Sequence, residues 1–183
     1  SAFELSENYE IPVMLRPTTR ICHARQDIQA SGLRAIRRKA FFSKDPARWA
    51  ATPRYRFTLH QELNKKIDKI SREMIFKPLR LLKTPSRSGC CILASGVAFS
   101  YVADILKEDS LLHKADLYKI MMPYPLHQEL NRLLRGYRKV LVVEETYPVI
   151  EFQIPDRTNI YGRLSGFVPR EGELTPDRIN SLV

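Results

Sequence analysis

The sequence predicts an α/β protein with a three-layer, doubly wound, mainly parallel sheet, preceded by an extended linker and a helix. Three observations carry this prediction. From Gly89 onward, short apolar runs alternate with helix-period stretches, the pattern of a parallel sheet with crossover helices. The run Val140–Val143 is four apolar residues without alternation, as expected of a strand covered on both faces. Upstream, the stretch from Phe57 to Met74 repeats apolar residues at helical spacing.

Taken in order, "AFELSENYE" reads as an acidic helix, and "IPVMLR", Ile11 to Arg16, as a buried strand. A parallel strand needs neighbours, so this αβ start reads as the tail of a larger domain. From Thr18 to Pro53 there is little periodicity. "SGLRAIRRKAFFSKDPARWAATPRYR" mixes cations, prolines and aromatics and reads as an extended linker lying over a surface, with Phe41, Phe42 and Trp49 as anchors. A flexible tether would lack such aromatics. In the helix from Phe57 to Met74, Leu59, Leu63, Ile67, Ile70 and Met74 form the apolar stripe, Glu62 and Lys66 form an i,i+4 pair, and Lys65 and Lys66 lie on a solvated face. Pro78 and "TPSRSG" close this region.

Thereafter "CCILAS" is a strand, Val97 to Glu108 a helix, "ADLYKIMM" a strand, "PLHQELNRLLRGY" a helix ended by Gly136, and "KVLVVEE" a strand. Pro148 to Ile154 is a short helix and "NIYGRLSG" a further strand. "TPDRINSL" is a last helix, with Thr175 as N-cap and Pro176 at the first helical position.

Composition bounds the function. The chain has 183 residues and a formal net charge of +10. The excess is segmental, concentrated in Arg34–Arg56 and Arg72–Arg87, and no nucleic-acid recognition motif accompanies it. We therefore expect a protein-facing role for these cations rather than a nucleic-acid site. Three cysteines, Cys22, Cys90 and Cys91, make a poor disulfide framework and have no metal-ligand spacing. A reducing, cytoplasmic setting is the expectation. The longest apolar run, Cys90 to Leu106, is broken by Ser95, Gly96, Ser100 and Asp104, so no membrane span is expected.

Four features could carry chemistry. "ILASGVAFSYV" has the strand–Gly–helix layout of a phosphate-binding turn, but Gly96 stands alone where a dinucleotide fingerprint has three glycines. A tight βα turn is the simpler reading. His23, His60, His113 and His127 form no i,i+3 or i,i+4 pair. "RPTTRICH" offers Arg16, Thr18, Thr19, Arg20 and His23, which could grip a carboxylate or phosphate or serve only to bond the linker and strand ends. Glu144 and Glu145 end a buried strand. Adjacent strand residues point to opposite faces, so they are not a close acid/base dyad. One could face a cleft while the other caps the helix that follows.

These residues also carry a resemblance. "AFELSENYEIPVMLRPTTRICH" resembles the end of the first thiamine-diphosphate-fold domain in the large subunit of the indolepyruvate ferredoxin oxidoreductase family. "KDPARWAATPRYRFTLHQELNKKI" is similar to that family's interdomain segment. "CCILASGVAFSYV", "KVLVVEETYPVIEFQI" and "GELTPDRI" resemble its second domain, which is transketolase C-terminal-like. The resemblance implies residues 1–30 as the tail of the pyrimidine-side domain, 31–86 as an interdomain linker with a helix over 57–74, and 87–183 as the transketolase C-terminal-like domain. It implies an enzyme that oxidatively decarboxylates aryl 2-oxoacids to acyl-CoA. Such an enzyme uses thiamine diphosphate, magnesium and [4Fe-4S] clusters, a smaller beta subunit, and ferredoxin as acceptor. The chain has no pyrophosphate–magnesium motif and no cluster-binding cysteine spacing. The implied role is therefore a structural, interdomain and dimer-supporting one, with no catalytic residue or metal ligand and no cofactor bound by this segment. A free-standing phosphate- or nucleotide-binding module using Gly96 and "RPTTR" is the alternative.

Overall fold

A computed structural model describes residues 2–29, 32, 39, 41–82 and 89–183, with the backbone alone at positions 81 and 82. The chain divides into two compact units, Ser1–Lys66 and Ile67–Val183.

The first unit is helical. Helix α1 (Ala2–Tyr9) ends at Glu10, whose φ is 51°. There the Ser6 hydroxyl donates to the Ile11 carbonyl at 2.7 Å. Residues 11–16, expected as a buried strand, form no strand, and Met14 and Leu15 are exposed. A strand exists only through its ladder, and no described residue pairs with this stretch. Helix α2 is the single turn Thr19–His23. Helix α3 (Pro46–Trp49) is specified locally. Asp45 accepts a hydrogen bond from the Ala47 amide, and Pro46 fills the first turn. The Trp49 indole donates to the Ser43 carbonyl at 2.8 Å. The Phe42 and Trp49 rings sit 5.4 Å apart and the Arg48 guanidinium lies 4.5 Å from the Trp49 ring centre. Of the three expected anchors, Phe42 and Trp49 pack on each other and Phe41 stays 89% exposed. Arg48 and Lys66 pair with Glu10. The cations at 34, 37 and 38 lie outside the described residues.

Helix α4 (Pro53–Ile70) begins and ends four residues earlier than the apolar spacing suggests. Pro53 at its start explains the first shift, since proline suits the first helical turn. Met74 falls instead in a 3₁₀ turn, Met74–Phe76.

The second unit is the predicted α/β fold. Its elements are β1 (Leu79–Leu82), β2 (Cys90–Ser95), α5 (Gly96–Glu108), β3 (Asp116–Ile120), α6 (Glu129–Leu134), β4 (Lys139–Val143), α7 (Val149–Phe152), β5 (Ile160–Tyr161) and α8 (Pro176–Asn180). The sheet order is β1-β3-β2-β4-β5. All pairings are parallel except β1 with β3. Strand β2 is central, with Leu93 opposite Tyr118 on one side and Val142 on the other.

The period of two sorts the strands onto two faces. Ile92, Ala94, Leu117 and Val143 pack with Ala98, Val102 and Leu106 of α5 and Ile179 of α8. Cys91, Leu93, Tyr118, Ile120, Val140 and Val142 pack with Leu130 and Leu134 of α6 and Ile150 of α7. Helices thus cover both faces, giving three layers. This is why β2 and β4 carry no polar alternation.

Two elements differ from expectation. The sequence gives no sign of β1, a four-residue antiparallel edge strand after Pro78 with an irregular register between Arg80 and Leu82. Helix α6 is shorter than "PLHQELNRLLRGY", because the amides before it have tertiary partners. Leu126 N–H donates to Gln153 Oε1 and Gln128 N–H to the Ser71 carbonyl.

Deleting side-chain volume from the central strand should be costly. Leu93 is fully buried, so Leu93→Ala should lower the stability of the sheet by about 2–5 kcal/mol. Phe57→Ala, at a position 72% exposed, should change it by less than about 0.5 kcal/mol. Urea unfolding followed by far-UV circular dichroism measures both.

Candidate functional site

The carboxyl ends of β2 and β4 adjoin at the centre of the sheet, where open α/β proteins place ligands. Strand β2 runs into Gly96, the first residue of α5, whose φ is +57°, and apart from its own neighbouring backbone nothing lies within 4 Å of where a Cβ would stand. The glycine is there for its left-handed backbone, which opens α5 directly from the strand.

Strand β4 ends in the two acids. Glu144 is 3% exposed. Its Oε2 accepts from the Ile150 amide at 2.8 Å and its Oε1 from the Glu151 amide at 3.0 Å. These are first-turn donors of α7, which have no partner inside the helix. Glu145 turns elsewhere, its Oε1 accepting from the Leu174 amide at 3.3 Å. One acid caps α7 and the other ties down the turn before α8.

Around them lie buried charges that the sequence analysis did not single out. The Arg163 Nε donates to the Glu144 carbonyl at 2.9 Å, and its Nη1 donates to the carbonyls of Thr146 and Arg170 at 3.1 and 2.6 Å. Arg170 returns a bond from Nε to the Arg163 carbonyl at 3.1 Å. Arg163 Nη2 is buried and has no partner among the described residues. The Glu151 Oε2 accepts from the Leu164 amide at 2.9 Å. A Cβ on Gly162 would stand 2.6 Å from that oxygen, so the backbone at 162 comes close only because no side chain intervenes.

Burial pushes the Glu144 carboxyl above the usual carboxylate range. Its two amide bonds oppose this, the neighbouring Glu151 adds to it and Arg163 opposes it. Burial lowers the Arg163 guanidinium, against the pull of Glu144, Glu145 and Glu171, but arginine starts high enough to stay a cation. Both oxygens of Glu144 are engaged by amides. The arrangement holds the 162–175 segment and α7 to the end of β4, and Glu151 also borders a cavity of about 360 Å³ with Arg157 and Ser165.

A second buried polar group sits at the start of β3. Asp116 accepts from Arg80 and from the Tyr137 hydroxyl, and the Tyr137 and Tyr118 hydroxyls are 2.9 Å apart. Burial raises the Tyr137 hydroxyl, with its bonds to Asp116 and Tyr118 adding. Burial likewise raises the Cys91 thiol, with Asp116 and Cys90 adding. Neither is an activated nucleophile.

Of the residues expected at a site, Arg16, Thr18, Thr19, Arg20 and His23 lie in the first unit and Glu144 and Glu145 in the second. Arg16 is exposed, as are Thr19, Arg20 and His23 on α2. Thr18 is at the N-cap position of α2 without a side-chain cap bond, and its Oγ1 is buried without a partner among the described residues. The structure joins Glu144 to Glu151, Gly162 and Arg163 instead. The only trace of this in sequence is a polar "YGR" in an apolar neighbourhood. Among the described residues, no three or more His, Cys, Asp or Glu side chains group so as to hold a metal ion. No helix among them is long and apolar enough to cross a membrane.

Comparison with known proteins gives one consistent result. The whole chain is 35% identical to part of the indolepyruvate oxidoreductase subunit IorA of Methanothermobacter marburgensis, covering 31% of that protein. It is 32% identical to the subunit of the same name from Methanothermobacter thermautotrophicus, again covering 31%. Against the Thermococcus kodakarensis subunit, 97% of the chain aligns at 32% identity with 29% of that protein. The chain thus spans about 30% of the length of these relatives. No family model and no solved structure matches it.

The buried capping carboxylate makes two predictions. Glu144→Ala strands two buried amides, so it should cost about 2–4 kcal/mol, read as a fall in urea midpoint. The wild-type chain also has a sign to its pH response. Because the folded carboxyl is raised, the folded state holds its proton to higher pH than the unfolded chain does. Stability contributed by this group is therefore lost as pH rises from the ordinary glutamate value of about 4.3 through the raised value. Glu144→Gln should remove that component, and an unchanged pH slope of the urea midpoint would count against the burial argument.

Proposed function

We propose that the chain, a relative of one segment of the indolepyruvate oxidoreductase IorA subunits, is the structural and interdomain part of such an enzyme and not its reaction centre. Similarity along its whole length to proteins of that name supports the assignment. The observation that carries the non-catalytic role is the engagement of Glu144. At the strand end where a ligand would be sought, both carboxylate oxygens are held by amides of the fold itself.

In this reading residues 1–30 end a pyrimidine-side domain, 31–86 link it onward, and 87–183 form a transketolase C-terminal-like domain. The whole enzyme oxidatively decarboxylates aryl 2-oxoacids such as indolepyruvate to acyl-CoA, in the cytoplasm. Thiamine diphosphate, magnesium and [4Fe-4S] clusters are held by other parts of it, and a smaller beta subunit and ferredoxin are its partners. The basic, aromatic stretch between 31 and 56 faces protein. Interfaces favour aromatics and arginine over lysine, and Phe41, Phe42 and Trp49 are exposed in this unit. The exposed residues Arg16, Thr19, Arg20 and His23 are contact residues toward substrate or a neighbouring domain.

Two measurements test this. Calorimetric titration of the chain with thiamine diphosphate and magnesium should give no heat of binding, and micromolar affinity would overturn the reading. In the intact enzyme, Arg16→Ala or Arg20→Ala should reduce kcat/KM by an amount equivalent to about 2–5 kcal/mol, the cost of breaking a desolvated charge contact. Lys65→Ala, on the exposed face of α4, should cost under about 1 kcal/mol. Equal losses would refute the placement of the two arginines.

A further inference from the structure

The second unit contains a cavity of about 610 Å³ at the amino end of the sheet, the end opposite Glu144. Its floor is apolar, formed by Cys90 and Ile92 of β2, Leu141 of β4, Leu106 of α5, Leu111 and Leu182. Tyr161 and Phe167 make one wall, their rings edge to face at 5.5 Å. The charged and titratable side chains around it, apart from the two cysteines and Tyr161, are His113, Lys114 and Lys139; no lining side chain is acidic, and Val183, the last residue of the sequence, also lines it with its carboxylate. Both lysines are exposed, so they stand where the cavity meets water.

This combination has a chemical meaning. Small-molecule sites are typically about 300–1,000 Å³, lined mainly by apolar side chains with a few convergent polar groups. A polar or zwitterionic ligand would lose its hydration on the leucine floor without recovering hydrogen bonds. A cation would meet two ammonium groups. An apolar body bearing a single anionic group satisfies both parts, because the body covers leucine and aromatic surface while the anion stays at the lysines.

We propose that this cavity is a binding site for a small monocarboxylate with an apolar body, seated between β2, β4 and the Tyr161–Phe167 wall, with its carboxylate at Lys114 and Lys139. The site is remote from the carboxyl ends of the strands and does not depend on the role proposed above.

The test uses the full chain with decanoate as probe and 1-decanol as its uncharged counterpart. Calorimetry should detect decanoate binding and a weaker response to the alcohol. The double variant Lys114→Gln/Lys139→Gln should weaken decanoate by about fivefold, as expected for exposed charge contacts, and leave the alcohol unchanged. The exposed lysines are not part of the core, and matching circular dichroism spectra establish that the variant folds.

Location is read separately. In a Cys22→Ser background the remaining thiols are Cys90, half-buried at the cavity, and Cys91, which is buried. A neutral maleimide should modify Cys90, and saturating decanoate should slow that reaction. Three results each overturn the proposal: no decanoate binding up to millimolar concentration, equal affinity for acid and alcohol, or binding that leaves the Cys90 rate unchanged. The last would assign the binding to the exposed aromatics of the first unit.

Discussion

A carboxylate placed at the end of a strand buried on both faces must find donors or carry the cost of its own desolvation. Glu144 finds them in the amides of Ile150 and Glu151, and the layout beyond β4 follows from that. Helix α7 has only four residues, too few to be stable as an isolated helix, and its position is set by the acid that caps it. With α7 in place, Glu151 reaches the Leu164 amide and holds Gly162 close. Arg163, buried beside it, satisfies the carbonyls of Glu144, Thr146 and Arg170. The Glu145–Leu174 bond continues the same fixing toward α8. Irregular chain that would otherwise be loose is thereby attached to the sheet by four side chains.

The buried clusters around Asp116 and Glu144 answer one problem at two places. A doubly covered sheet excludes water from both faces, so any charge admitted there must be matched within the fold. Around Asp116 the match comes from Arg80 and Tyr137 side chains. Around Glu144 it comes from backbone amides. The first joins the antiparallel edge strand to the parallel core, and the second joins the terminal helices to it.

Much of the second unit was legible because its signals are long-range regularities. Unbroken apolar runs in β2 and β4 and a helical stripe in α5 fix strand, helix and their alternation. Thr175 with Pro176 marks the start of α8, and the structure has the Thr175 side chain accepting from Arg178. What escaped notice depends on neighbours distant in sequence. Strand β1 is four residues long and exists only through its pairing with β3. Residues 11–16 have strand composition and no ladder. The start of α6 is lost to amide bonds with Gln153 and Ser71, far away in the chain. At the candidate site the acids stood out in the sequence, but Arg163 did not, because a single arginine carries no mark of whether it will be buried.

The edges of the sheet have a consequence for how the domain can meet other polypeptides. One edge is β5, two residues long, and the other is β1, four residues with a disturbed register. A strand added from outside needs a straight run of unpaired amides and carbonyls to pair with, and among the described residues neither edge supplies one. The described edges offer little to a strand added across a subunit boundary, or to the edge-to-edge aggregation that exposed strands invite. Recognition through these edges must be made by side chains, which can be altered one residue at a time without disturbing the ladder beneath.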